Sequence, residues 1–157
     1  MYLPTFTITN KMLRNVSVFE AAKEVIENAP LIPAWEAKFR QEAIIRTVHH
    51  GTRIEGNELN FTEAQRVVEA VDAYGNGVTP QALAQASGVV ARARDIQEVF
   101  NYRLVLDFIN RFKDEQTGKT AHSDMLSQED MTVIGQAAGK ITNNVLLHIH
   151  KRTVEKI

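Results

Sequence analysis

The chain has 157 residues, 44% apolar and 24% charged, the values of an ordinary globular protein with room for a sizeable core. Lysine and arginine number 18 against 19 aspartate and glutamate, so a net charge of -1 supplies no general attraction to nucleic acid or an anionic membrane. Cysteine is absent, which excludes disulfides and thiolate metal sites; no apolar run approaches the ~18–20 residues that span a bilayer.

The N-terminal MYLPTFTITNK has neither the basic region nor the continuous apolar run of a secretory signal, and a cytoplasmic protein is the default expectation. Thr9 or Asn10 can cap a first helix through Met12, Leu13, Val16, Phe19, Ala22, Val25 and Ile26, with Pro30 as its stop. Pro33 suits the first turn of a second helix, which carries Trp35, Phe39, Ala43 and Val48 and runs into HHGTRIEGNE. Thr62-Glu-Ala-Gln65 has the capping-box pattern and predicts a third helix through Val67, Val68, Val71 and Tyr74, ended by Gly75-Asn-Gly77. Thr79-Pro80 opens a fourth segment whose helical period continues, with a break at Gly88, to Phe112. Residues 113–126 read as loop. Ser127-Gln-Glu-Asp130 caps a helix through Met131, Ile134 and Ala138, and Thr142 or Asn143 caps the last, with Val145, Leu146, Ile149 and Val154.

No segment alternates with period two, so the fold class is all-α, a single bundle of about six or seven helices with no significant sheet. The last helix is expected to reach Ile157 without glycine, proline or polar tail, the mark of a piece cut from a longer protein.

Four constellations bear on function. His49-His50 point about 100° apart on a helix, and His148 and His150 are two apart, so neither pair clamps a metal; they read as packing or surface histidines. Gly75-Asn-Gly77 follows a helix and has no adjacent cation, which makes it a helix stop and turn, not a phosphate cradle. TPQALAQASGVVARA has the small-residue, glycine-broken form of a helix-turn-helix, but offers only Arg92 and Arg94 to phosphates. In the stretch from His49 to Glu58, Gly51 and Gly56 each cost roughly 1 kcal/mol relative to alanine inside a helix. There Glu55 faces the negative end of the helix dipole, where an acid needs a cationic partner.

Ile54-Glu-Gly-Asn57, followed by Glu58-Leu59, closely resembles the IEGN-x-L segment of Fic-family proteins, enzymes that transfer AMP from ATP to protein hydroxyls. FTITNKML and ENAPLIPAWEAKFRQEAI resemble the family's leading helices, ARDIQEVFNYRLVLDFI its D-x-Q-E-V-x-N-Y helix, and LLHIHKRTVEKI the helix before its catalytic core. The resemblance covers most of residues 5–112 and 145–157. It implies an N-terminal helical domain over 1–112, a loop at 113–126, and helices at 127–157 leading toward a core that this chain lacks. It also implies an inhibitory helix of pattern (S/T)-x-x-x-E-(G/N), in which Glu55 pairs with an arginine of the core and takes the space of the ATP γ-phosphate. Gly56 fills the last position, Ile54 and Asn57 are the usual flanks, and the first position is Gly51, with the hydroxyl of Thr52 one residue out of register.

The catalytic signature HxFx(D/E)GNGR is absent, so the resemblance places no catalytic residue and no metal ligand in this chain, and the isolated chain is expected to be inactive. ATP and magnesium belong to the complete enzyme, the implied partners are the core in cis or in trans and an unnamed target protein, and a homo-oligomer stays open. Two other readings stand beside this one: an antitoxin-like protein that supplies its glutamate to a separate Fic enzyme, and a DNA-binding helical module.

Overall fold

Among the described residues seven α-helices make up the fold, and local side-chain caps set most of their starts. The structure is a computed structural model that describes residues 6–30, 32–75, 77–117 and 125–157. Among the described residues there is no strand. The chain divides into two compact units, Met1–Lys38 and Phe39–Ile157.

The first unit holds α1 (Asn10–Glu27) and the start of α2 (Pro33–Ile54). Thr9 caps α1 by accepting from the Met12 N–H at 3.2 Å. The helix ends at Glu27, short of Pro30, and its cap Asn28 bonds back to the Glu24 carbonyl. No residue of α1 is buried.

The second unit is built around α5 (Ala93–Thr117), which packs against α3 (Phe61–Tyr74), α4 (Pro80–Ser87), α6 (Gln128–Ala137) and α7 (Asn143–Thr153). Its buried Ile96, Val99, Phe100 and Leu104 join Ile45 and Val48 of α2, Val67, Val68 and Val71 of α3, and Leu83 of α4 in one core. Further along α5, Phe108 and Phe112 form a second core with Ile134 and Val145. Full burial of each such side chain is worth ~1.5–3 kcal/mol, so α5 is the element whose loss would dismantle the unit. Arg103 on α5 meets Asp72 on α3 at 2.8 Å, and Gln41 on α2 donates to the same carboxylate at 2.9 Å, which ties three helices together.

Several boundaries differ from expectation. The capping box of α3 is Asn60 with Glu63, not Thr62 with Gln65. This earlier start leaves the chain free to bury Leu59 immediately before the helix. Gly88, in the left-handed region at φ 64°, splits the long fourth segment into α4 and α5. α5 runs to Thr117, so the expected loop from 113 begins as helix; residues 118–124 lie outside the described residues, as does Asn76 of the glycine turn. The buried face of α2 is Ile45, Val48, His49 and Thr52, while Trp35 and Phe39 are exposed.

α7 stops at Thr153 and does not continue to Ile157. Its stop signal comes from far away in sequence. The Asn101 amide on α5 donates to the carbonyls of Thr153 at 3.1 Å and Glu155 at 2.8 Å, satisfying orphan acceptors at the helix end. At the other end, Thr142 caps α7 as expected. Ser127 and Asp130 form the predicted capping box of α6. Asp130 is fully buried and also meets His148 Nε2 at 2.6 Å and Arg152 at 3.2 Å, so one carboxylate closes α6 and docks α7.

Candidate functional site

The C-terminal turn of α2 closes by a double bond pattern. The Asn57 N–H reaches the Thr52 carbonyl and the Gly56 N–H reaches the Arg53 carbonyl, each at 3.1 Å, a Schellman motif. Gly56 takes φ 93°, a region open to glycine and strained for other residues, so the position is set by backbone geometry. Glu55 is thereby the last residue before the left-handed turn. It is exposed, as is Arg53, and no ion pair or hydrogen bond holds its carboxylate among the described residues. Ile54 beside it is 88% exposed.

The residues on either side of this tip point inward. Thr52 is 1% exposed, and its hydroxyl donates to the carbonyls of Val48 at 3.0 Å and His49 at 3.3 Å. The hydroxyl is consumed within its own helix. Asn57 is 4% exposed and fully used: its amide donates to the Asp95 carbonyl and to Glu98 Oε2, both at 2.9 Å, and its oxygen accepts from the Leu59 N–H at 3.0 Å. Glu98 takes Arg94 on its other oxygen at 2.8 Å, and Asp95 takes Arg92 on both oxygens. The IEGN stretch and the D-x-Q-E stretch, far apart in sequence, therefore meet through one asparagine. The same pairs engage Arg92 and Arg94, the two cations a DNA-binding reading would need for phosphates.

Gly51 has a packing reason. A Cβ built there would stand 2.6 Å from the ring of Tyr102 on α5, closer than real atoms approach. The flat ring rests on the bare helix backbone, so glycine at this position follows from how α2 seats on α5. Sequence reasoning reads Gly51 as a departure from the serine or threonine of the inhibitory pattern and misses its partner, because the contact is long-range. The structure places Ile54, Glu55 and Gly56 together at the exposed tip and sets Gly51, Thr52 and Asn57 against the core.

His49 is the feature least visible in the sequence. It is 9% exposed, packs edge-on against Phe61 with ring centroids 5.6 Å apart, and neither ring nitrogen has a hydrogen-bond partner. Burial holds its pKa below the ordinary 6.5, with His50 and Arg53 acting in the same direction and the Leu59 backbone weakly opposing. His50 is exposed, so the two histidines are, respectively, a packing and a surface residue.

Among the described residues no group of three or more His, Asp or Glu side chains could hold a metal ion. No described helix is long and apolar enough to cross a membrane. No family model matches the chain, and neither a curated protein nor a solved structure matches it.

Proposed function

We propose that this chain is the helical regulatory portion of a Fic-type protein adenylyltransferase, with Glu55 as its inhibitory acid. One observation carries the reading: an exposed, unpaired carboxylate sits at the tip of a turn whose flanking residues, Thr52 and Asn57, are buried and bonded. A surface acid on a loose loop would offer little directionality. The Schellman closure and Asn57 fix the backbone that carries Glu55, so its carboxylate starts from a set place within reach of the planar fork of an arginine. Ile54, exposed beside it, adds apolar surface to the same tip.

In this reading a core arginine donates to Glu55 and is withheld from the γ-phosphate of the substrate ATP. The regulatory chain contributes position and charge; the transfer chemistry belongs to the core. The test is inhibition in trans: purified chain is added to a Fic catalytic domain stripped of its own inhibitory helix, and AMP transfer is followed. Transfer should fall with wild-type chain and persist with Glu55→Gln. Equal inhibition by both, or by neither, would overturn the assignment.

A further inference from the structure

A buried imidazole whose nitrogens meet nothing better than a weak approach of the Leu59 backbone is costly. An unsatisfied buried polar group is destabilising, and phenylalanine at the same place would fill the space without that loss. His49 lies on α2 shortly before the exposed tip, and its ring contacts Phe61 just beyond the turn. It thus packs on both strands of chain that enter and leave residues 55–60.

The neutral ring is tolerated there because it is mainly an aromatic filler. The charged ring is not. From α2 itself His50, with its ring centroid 5.0 Å away, and Arg53 face it, and both oppose a second cation. From the turn only the Leu59 backbone favours the charge. α3 offers the Phe61 ring, itself under Arg46 at 5.7 Å, while Glu63 is engaged in its capping box with Asn60. On α5, Asp95 and Glu98 are taken by Arg92, Arg94 and Asn57. Among the described residues the carboxylates of Glu58, Glu63, Asp95 and Glu98 are already engaged, and the unpaired Glu55 is exposed at the tip.

We propose that His49 is a proton switch for the α2–α3 turn: the neutral ring keeps residues 55–60 packed, and protonation expels the ring and opens the turn. The consequence for inhibition, loss of a fixed Glu55 in acid, rests on the reading given above; the opening itself does not.

The direction follows from linkage. The unfolded or opened chain takes up the proton near the ordinary value of 6.5, and the closed form only at lower pH. The closed turn is therefore fully favoured above about 6.5 and loses ground as pH falls, by up to about tenfold in the opening constant per pH unit for one linked proton.

The experiment is hydrogen exchange on the full chain from pH 7.5 to 5, expressed as protection factors so that the intrinsic pH dependence of exchange cancels. The amides of Gly56 and Asn57, bonded in the closed turn, should lose protection together below pH 6.5. His49→Phe should keep them protected across the range, while His50→Phe should still lose protection on acidification. The His49 ring resonances, followed in wild type by NMR, should titrate below 6.5, after the protection of those amides has begun to fall. Flat protection in wild type, the same slope in His49→Phe, or a ring that titrates at 6.5 with the amides unchanged would overturn the proposal. If the turn opens on schedule but AMP transfer by the protein joined to its core does not respond, the switch stands and the role given to Glu55 fails.

Discussion

Replacing Asn57 by alanine removes the lock that holds the two halves of the site together. Three bonds are lost, at 2.9, 2.9 and 3.0 Å, and the partners left behind are the Asp95 carbonyl, Glu98 Oε2 and the Leu59 N–H. Glu98 and Leu59 are each 3% exposed, so water reaches them poorly. Two neutral bonds at ~1 kcal/mol and one charge-assisted bond at ~1.5–3 sum to ~3.5–5 kcal/mol. A water entering the space recovers part of this, and the expected loss is ~3–4 kcal/mol. Asn57→Asp is the sharper variant, since it sets a second carboxylate against Glu98. The new acid's pKa is raised in the folded state above its unfolded value of about 3.9, so its extra penalty is absent below that pH and complete above the raised value. Urea unfolding of wild type and both variants by circular dichroism gives the comparison, read as midpoints at unchanged slope. At pH 7 Asp should be worse than Ala, with the gap closing on acidification. An alanine variant within about 0.5 kcal/mol of wild type, inside the range of an ordinary surface change, would refute the network.

Two more outcomes follow from the same packing. Gly51→Ala gains ~1 kcal/mol of helix propensity but drives a methyl into the Tyr102 ring, an overpacking that costs ~1–3 kcal/mol. It should stabilise a Tyr102→Ala background by more than it changes wild type in denaturant unfolding, and equal effects in both would mean the ring does not rest there. Asp130→Ala strands His148 and Arg152 around a buried gap and should cost ~3–5 kcal/mol. Burial pushes the Asp130 carboxyl up, but bonds from Ser127 and His148 and the charge of Arg152 outweigh it and hold the pKa below 3.8. That stabilisation is present above pH 3.8 and is lost as pH falls through the folded value, so thermal melts of Asp130→Asn should show a flatter acid limb than wild type.

Helix starts were legible because their chemistry is local. Thr9, Thr79-Pro80, Ser127 with Asp130, and Thr142 each satisfy amides within three residues, and each caps the helix expected of it. Where two overlapping patterns compete, local chemistry does not decide: Asn60/Glu63 and Thr62/Gln65 both fit a capping box, and burial of Leu59 and Ala64 goes with the first. The end of α7 was illegible, since its acceptors are met by Asn101 from 52 and 54 residues away. Gly51 was illegible for the same reason. The exposed tip at Glu55 was readable from the glycine after it, but the burial of Thr52, His49 and Asn57 around it depends on where α5 lies. The groups that anchor it, the Asp95 carbonyl and the Glu98 carboxylate, lie in the D-x-Q-E stretch, where sequence reasoning states no role for them.

The most direct measurement is the rate of AMP transfer from ATP, well below saturation, by this chain joined to a Fic catalytic core, the arrangement proposed above. Wild type is compared with Glu55→Gly and with Arg53→Ala. A buried charge pair commonly costs ~3–5 kcal/mol to break from one side, and if ~2–3 kcal/mol of that holds ATP out, relief amounts to ~30- to 150-fold. The expected result is a rise of that order for Glu55→Gly with Arg53→Ala near wild type. Equal transfer by wild type and Glu55→Gly would show that the turn after α2 only ends a helix.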